Sequence, residues 1–181
     1  MNYLKTEKKI LSEIKNVLKK NPEKDERFLS NSILSSKRIF VFGQGRSGLV
    51  AKSFAMRLMQ VGLESYVVGE TITPSITKDD LLVLISGSGK TKTVISISTQ
   101  AKKVGAKIIG ITSQKDSQLS KKCNKLIILK SKSKTKGKSI EPLGTLFEQS
   151  AFVFLDAIVL GLMKKIGVSE EKMRQRHASL E

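Results

Sequence analysis

The sequence predicts an α/β fold, a three-layer αβα sandwich in which helices cover both faces of a five-stranded parallel sheet. Five short apolar runs of strand length recur along the chain, and such runs are typical of strands buried on both faces. Segments with helical spacing of apolar residues alternate with these runs, which favours parallel pairing. Glycine- and serine-rich turns follow two of the runs, where a helix is expected to begin. These turns predict a binding site at one edge of the sheet.

The first 36 residues are expected to form two helices that extend the core. Apolar residues recur at helical spacing among charged ones over 3–20, and Asn21-Pro22 breaks that pattern. A second helix is expected at about 24–35 for the same reason. The βα core that follows is expected to span 37–129.

The core is expected to hold all five strands. Helices should follow the first and third strands, and a short helix around 118–122 should precede the fifth. The strands are expected at 38–42, 66–68, 81–85, 107–112 and 125–129. Because ligands of such sheets bind beyond the carboxyl ends of the strands, the loops that follow the strands share one edge. Those loops are expected at 43–48, 69–75, 86–91 and 112–116.

The pattern changes after the fifth strand. Residues 130–138 contain lysine, serine, threonine and glycine without an apolar residue, which predicts a loop. Two C-terminal helices are expected over 144–177, the second capped by Ser169. Residues 151–163 are apolar over more than one helical face, which predicts burial against a second subunit, with packing under the N-terminal helices as the alternative. The whole chain, 1–181, is expected to be a single domain.

A net charge of +17, carried mainly by lysine, first suggests a partner such as nucleic acid. However, only 5% of the residues are aromatic and none is Trp, so the chain offers little surface for base stacking. We therefore expect no nucleic-acid partner, and we interpret the lysines as a solvated face that attracts anionic substrates.

Cysteine usage and hydropathy predict a cytoplasmic protein that is not attached to a membrane. Cys123 is the only cysteine, which excludes a disulfide framework and a cysteine-based metal site. The N-terminal residues lack the apolar segment of a signal peptide. The longest apolar stretch, 151–163, carries Asp156 and is too short to span a bilayer.

The strongest functional signal is the turn after the third strand, which we call the phosphate loop. Its residues are Ser86, Gly87, Ser88, Gly89, Lys90 and Thr91. The start of the next helix presents backbone N–H groups and the positive end of the helix dipole, and both favour an anion. The glycines allow close approach of the backbone, and the hydroxyls can donate to phosphate oxygens. Ordinary helix capping by serine and threonine is the alternative.

A second glycine-rich turn, at 43–48, follows the first strand. Its candidate binding residues are Gly45, Arg46 and Ser47. The G-x-G-x-x-G spacing, with Glu70 at the end of the second strand, also matches a dinucleotide-binding fingerprint, but that interpretation leaves the phosphate loop without a role. A P-loop does not fit, because it needs a glycine where this chain has Leu84. Two anion-binding turns at one edge instead favour a sugar-phosphate pocket.

Several segments together resemble the sugar isomerase (SIS) domain and, within it, the 6-phospho-3-hexuloisomerase family. They are the two glycine-rich turns, Ala55–Leu58, Val68–Thr71, Thr73–Ser75, Pro142–Glu148 and the ending Arg176–Glu181. The resemblance implies a flavodoxin-like, doubly wound sheet and a homotetramer. It implies an isomerase that interconverts 3-hexulose 6-phosphate and fructose 6-phosphate through an enediol, without a cofactor or a metal. It also implies a metabolic partner, 3-hexulose-6-phosphate synthase, in formaldehyde fixation or pentose phosphate synthesis.

The resemblance implies catalytic roles as well. Glu148, in the Gly-Thr-x-Phe-Glu motif, would be the base that moves a proton between neighbouring carbons, with a purely helix-stabilising carboxylate as the alternative. His177, the only histidine, would reach an active site in its own or a neighbouring subunit, with a solvated side chain as the alternative. Glu70 and Thr73 are further candidates. The alternative functions are a SIS isomerase of pentose phosphates and a non-catalytic sugar-phosphate sensor.

Overall fold

The computed structural model describes residues 2–131 and 139–179, and its five parallel strands have the order β2-β1-β3-β4-β5. The strands are β1 (Ile39–Gly43), β2 (Ser65–Val67), β3 (Leu81–Ile85), β4 (Lys107–Thr112) and β5 (Lys125–Ile128). The helices are α1 (Tyr3–Leu18), α2 (Glu23–Leu34), α3 (Arg46–Val61), α4 (Lys92–Lys103), α5 (Thr145–Ile166) and α6 (Glu170–Gln175). The α/β class and the five-stranded parallel sheet predicted from the sequence are confirmed.

The middle of the sheet brings the two glycine-rich turns together. All five residues of β3 are buried, and β3 pairs in parallel with β1 on one side and β4 on the other. The three strands therefore end at the same edge, which we call the carboxyl edge. There Gly43 pairs with Ile85, and Ile85 pairs with Ile111. The turns at 43–48 and 86–91 consequently start side by side.

Two apolar layers lie on opposite faces of the sheet. On one face α3 and α5 pack against the strands, and α1 and α2 pack against α5. On the other face α4 and the turns at 113–124 cover a smaller cluster, which includes Phe40, Leu84 and Ile108. The sheet is thus enclosed as the middle layer of the sandwich, and its carboxyl edge remains accessible for binding.

Helix α5 buries most of its apolar side chains within the chain, against α1, α2 and α3. Phe152, Val153 and Leu160 nevertheless stay exposed, so packing under the N-terminal helices accounts for most of its apolar surface but not all of it. Helix α5 is longer than the apolar stretch 151–163, which on its own is too short to span a bilayer. Among the described residues, it is the one helix with the length and composition to cross a membrane. Half of its apolar window is buried inside the chain, which is the pattern of a core helix.

One predicted element is wrong, because residues 118–122 form turns instead of a helix. Two serines account for the difference. Ser120 Oγ donates to Ser117 O at 2.6 Å, and Ser120 N donates to Ser117 Oγ at 3.2 Å. Short polar side chains that bond to the local backbone compete with helical hydrogen bonds. The loop predicted at 130–138 lies, beyond Ser131, outside the described residues.

Candidate active site

The phosphate loop joins β3 to α4 and is ordered by its own hydrogen bonds. The hydroxyls of Ser86 and Thr91 lie 3.2 Å apart, and Ser86 Oγ also accepts from Gly89 N at 3.2 Å. Ser88 Oγ accepts from Lys90 N at 3.2 Å. Thr91 occupies the N-cap position of α4, but its side chain makes no capping hydrogen bond. The first N–H groups of α4 are therefore not capped by Thr91, and such groups favour a bound anion.

Two glycines of this loop are required by their surroundings. A Cβ at Gly87 would lie 2.9 Å from Cδ1 of Phe147, in the first turn of α5. Gly89 has a φ of +61°, and a Cβ there would lie 2.5 Å from Ser117 Oγ. Glycine at 87 therefore lets α5 pack directly on the phosphate loop, and glycine at 89 lets the loop turn beside Ser117.

The turn after β4 fixes the orientation of the phosphate loop. The carbonyl oxygen of Gly87 accepts hydrogen bonds from Ser113 Oγ at 2.7 Å and from Thr112 Oγ1 at 3.2 Å. Ser113 N donates to the same oxygen at 3.2 Å. The phosphate loop is thus tied to the last residue of β4 and to the turn after it.

The turn at 43–48 brings a second helix N-terminus to the carboxyl edge. Gly45, with a φ of +60°, is the N-cap residue of α3 and makes no side-chain cap. Ser47, in the first turn of α3, is buried and lines the pocket. Thr93 Oγ1 donates to Gln44 Oε1 at 3.3 Å, which links this turn to the start of α4.

The start of α5 carries the predicted base. Leu143 and Gly144 lead into the helix in left-handed conformations, with φ values of +55° and +88°. In the first turn of α5, Glu148 Oε2 accepts from Arg46 Nε at 2.8 Å. The Glu148 side chain is 15% exposed, whereas that of Arg46 is 58% exposed. A cation from α3 therefore holds a largely buried carboxylate at the wall of the pocket.

These elements enclose a pocket of about 420 Å³ at the carboxyl edge. The predicted site residues that line it are Ser47, Ser86, Gly87, Ser88, Lys90, Thr91 and Glu148. Arg46 is connected to it through Glu148, while Gly45 and Gly89 shape the two turns. Hydroxyls, helix N-termini and a lysine suit an anion such as phosphate. Over the described ranges, no group of three or more His, Cys, Asp or Glu residues could hold a metal ion.

The pocket also contains residues that the sequence did not single out. They include Ser113, Gln114, Asp116, Ser131 and Phe147. The 112–116 turn is expected at this edge from the sequence, but its members carry no recognisable motif. Ser131 follows β5, and Phe147 belongs to the same Gly-Thr-x-Phe-Glu motif as Glu148. Position after a strand end is the one signal that could have identified the first four of these residues.

Two of the predicted candidates lie after β2, outside this pocket. Glu70 pairs with Lys52, with Oε1 and Nζ 2.6 Å apart, and both side chains are about half exposed. Thr73 Oγ1 donates to Val67 O at 2.6 Å, so this hydroxyl fixes the loop after β2. Both residues follow β2, whereas the pocket lies over the ends of β1, β3, β4 and β5.

His177 lies far from the pocket, near the other end of α3. It is exposed and follows Arg176, whose Nη1 donates to Gln60 O near the C-terminal end of α3. Helix α3 has 16 residues, so this end lies about 24 Å from the end that carries Arg46. The structure of one chain therefore does not bring His177 to Glu148.

Comparison with known proteins identifies the family. The family model of the SIS domain matches residues 32–151, which include both glycine-rich turns and Glu148. The chain belongs to the SIS domain family. The SIS resemblance predicted from the sequence is thus confirmed, and the αβα sandwich is the fold of this family's solved members.

Individual SIS relatives match over most of their length. An uncharacterized protein of Archaeoglobus fulgidus is 48% identical over 151 residues, which cover 81% of this chain and 82% of that protein. The 3-hexulose-6-phosphate isomerase of Bacillus subtilis is 42% identical over 165 residues, covering 89% and 88%. A solved structure of a hypothetical protein from Methanococcus jannaschii, with an inferred function of 3-hexulose-6-phosphate isomerase, has a TM-score of 0.87 and 37% identity. The superposition covers 98% of this chain and 99% of that solved chain.

Proposed function

We propose that this SIS protein is a 3-hexulose-6-phosphate isomerase, which interconverts 3-hexulose 6-phosphate and fructose 6-phosphate. The observation that carries the proposal is that one pocket is lined both by the phosphate loop after β3 and by the Glu148 carboxylate on α5. The loop suits a phosphate, and the carboxylate suits proton transfer at carbon. The relative of this name from Bacillus subtilis aligns with 89% of the chain, which supports the choice among SIS activities.

The phosphate group of the substrate binds at the phosphate loop. Backbone N–H groups at the start of α4 and the hydroxyl of Ser88 donate to its oxygens, and Lys90 adds a positive charge at the pocket wall. Ser47, at the start of α3, supports the phosphate from the neighbouring strand. Because the reaction leaves the phosphate unchanged, these contacts bind the substrate and the transition state alike and mainly lower KM.

Glu148 is the base that moves the proton. From 3-hexulose 6-phosphate it removes the proton on C2, and the electron pair of that bond becomes the C2=C3 double bond of an enediol. The same carboxylate then returns the proton to C3. Meanwhile O2 loses its hydroxyl proton and O3 gains one, so the carbonyl moves from C3 to C2. One carboxylate can perform both transfers if it faces one side of the intermediate.

Positive charge around the pocket stabilises the enediolate. Arg46 holds the Glu148 carboxylate by the Nε–Oε2 contact of 2.8 Å and contributes its own charge. Helices α3, α4 and α5 all begin at this pocket, and none of the three has a side-chain hydrogen bond that caps its N-terminus. Such dipoles are already oriented before the reaction, so they stabilise developing negative charge without reorganisation. The reaction is a proton transfer, so the proposal includes no cofactor and no metal.

His177 acts, in this proposal, in the pocket of a neighbouring subunit of a homotetramer. An imidazole there moves protons between the sugar oxygens or opens the sugar ring. The exposed position of His177, far from its own Glu148, supports this arrangement. Apolar side chains on the outer faces of α3 and α5 offer a surface for subunit contacts. They are Leu49, Met56, Met59, Phe152, Val153 and Leu160.

The proposal places the enzyme in the cytoplasm, next to 3-hexulose-6-phosphate synthase in the metabolic sequence. A coupled assay tests the activity: the synthase makes 3-hexulose 6-phosphate in situ from formaldehyde and ribulose 5-phosphate, and a coupling enzyme detects fructose 6-phosphate. We expect turnover proportional to the protein concentration, retained after divalent ions are chelated. Turnover of a pentose phosphate instead would indicate another SIS isomerase, and binding without turnover would indicate a sensor.

A further inference from the structure

The pocket contains a buried hydroxyl that no group in the described part of the chain satisfies. Ser131 lines the pocket and is 7% exposed, and its Oγ has no hydrogen-bond partner. By contrast, Ser86 and Thr91 contact each other, and Ser113 donates to Gly87 O. Buried hydroxyls without a partner are rare and unfavourable, so an unsatisfied one on a residue that lines a binding pocket needs an explanation.

The position of Ser131 distinguishes the sugar from the phosphate as its partner. Leu129 N donates to Thr112 O at 3.0 Å, so the chain still runs beside β4 just before Ser131. Neighbouring strands lie about 4.8 Å apart, and β4 separates β5 from β3, so Ser131 follows a strand about 10 Å from the one that carries the phosphate loop. A phosphate bound at that loop lies too far across the sheet. The hydroxyl groups of the sugar chain are the remaining candidates.

We propose that Ser131 is a substrate-positioning residue whose Oγ hydrogen-bonds to a hydroxyl group of the sugar chain. This inference rests on the proposed function, in that it requires a sugar phosphate in the pocket. A serine hydroxyl can both donate to and accept from such a group. With the phosphate held after β3 and the sugar held after β5, the substrate is fixed at two points, and this fixes the carbon that faces Glu148.

The test compares two variants that each remove one buried hydroxyl. Ser131→Ala removes the proposed contact. Ser150→Ala is the matched control, because Ser150 on α5 is also buried and its Oγ also lacks a partner, but it does not line the pocket. Calorimetry measures the Kd of fructose 6-phosphate and of inorganic phosphate for the parent and both variants. Thermal unfolding of each variant shows that the fold is retained.

Loss of a hydrogen bond between neutral groups should raise the Kd of fructose 6-phosphate in Ser131→Ala roughly threefold to tenfold. The Kd of inorganic phosphate should not change, a difference that a merely structural effect would not produce. A deoxy analogue that lacks the contacted hydroxyl should bind the parent and Ser131→Ala equally. Ser150→Ala should match the parent with all ligands.

Other outcomes overturn the inference. An unchanged Kd for fructose 6-phosphate in Ser131→Ala would show that no contact exists, and equal weakening of both ligands would show contact with the phosphate or a distorted pocket. If the parent binds fructose 6-phosphate without isomerising it, the proposed function fails. The effect of Ser131→Ala on the Kd of fructose 6-phosphate, compared with its effect on the Kd of inorganic phosphate, still decides the role of Ser131. If the parent binds neither ligand, both proposals fail.

Discussion

Arg46 and Glu148 stand 102 positions apart in the chain, and their Nε and Oε2 atoms lie 2.8 Å apart across the junction of α3 and α5. We expect Arg46→Ala to lower kcat by a factor on the order of 10 to 10², because the carboxylate loses its orientation and the enediolate loses a positive charge. Arg46→Lys should recover part of the loss, since it keeps the charge without the planar donor group. Steady-state kinetics measure both. A parent-like kcat in Arg46→Ala would show that the ion pair has no role in turnover.

Glu148→Gln tests the base itself. The amide keeps the shape of the side chain but cannot accept the proton, so kcat should fall by a factor on the order of 10² to 10⁴ while fructose 6-phosphate still binds. The variant should also fail to exchange solvent deuterium into fructose 6-phosphate. Glu70→Gln is the comparison, because Glu70 follows β2 at the same edge but pairs with Lys52 outside the pocket. Loss of exchange in Glu70→Gln but not in Glu148→Gln would move the base to Glu70.

Removal of a hydroxyl from the phosphate loop should affect binding more than chemistry. In Ser88→Ala, the KM for the sugar phosphate should rise more than kcat falls, because the phosphate contact is made equally in the ground state and in the transition state. Inorganic phosphate should inhibit the parent competitively and the variant more weakly. If Ser86→Ala, Ser88→Ala and Thr91→Val all keep the kinetics of the parent, the phosphate binds elsewhere.

Gly87→Ala should destabilise the protein, because the new Cβ would lie 2.9 Å from the Phe147 ring. Overpacking of this kind lowers the free energy of unfolding by about 1–3 kcal/mol, which urea titration measures. Gly161→Ala, within α5, is the control: nothing lies within 4 Å of its Cβ, so the higher helix propensity of alanine should stabilise by up to about 1 kcal/mol. Equal stability of Gly87→Ala and the parent would contradict the packing of α5 on the phosphate loop.

Asp80 makes part of the stability dependent on pH. Burial acts to raise the pKa of its carboxyl, but hydrogen bonds from Arg38 and from Thr77 outweigh burial and hold that pKa below the ordinary value. The ionised form therefore stabilises the fold above the unfolded-state pKa of about 3.9, and this contribution disappears as the pH falls through the lower folded-state pKa. We expect Asp80→Ala to lower the free energy of unfolding by about 3 kcal/mol at neutral pH.

Urea titrations at neutral and acidic pH check this prediction. The difference between Asp80→Ala and the parent should shrink as the pH falls below about 4, because the parent loses the same contribution. Glu23→Gln breaks an exposed pair with Arg27 and should change stability little at either pH. A difference for Asp80→Ala that is independent of pH would show that lost packing, not charge, causes the destabilisation.

The sequence predicts the sheet well because its central strands β1, β3 and β4 are short and mostly buried apolar runs, a pattern that depends on local composition. The failure at 118–122 is also local, since Ser117 and Ser120 bond to each other's backbone in place of helical bonds. By contrast, strand order is a property of the whole fold. Glu70 and Thr73 follow a strand end as several pocket residues do, but they follow β2, and periodicity does not predict which strand ends line the pocket.

The features of the candidate site that the sequence did not predict are contacts between elements that are distant in the chain. The two glycine-rich turns could be predicted because glycine and serine between an apolar run and a helical pattern indicate a turn. The contact of Arg46 with Glu148, the packing of Phe147 on Gly87 and the place of Ser131 in the pocket depend on how α5 and β5 sit against the core. No spacing along the chain encodes these contacts.

The packing of α5 on the phosphate loop also has a consequence for how such a protein can diverge. The two glycine-rich turns belong to the strand–helix units at 39–61 and 81–103, whereas the Glu148 carboxylate belongs to a separate helix that begins after residue 144. In the proposed mechanism, substitutions at the start of α5 therefore abolish or redirect turnover, while the two turns still bind a phosphorylated ligand. A descendant altered only there would keep recognising sugar phosphates without transforming them, so a metabolic catalyst and a receptor for its substrate would differ by a few positions in one helical turn.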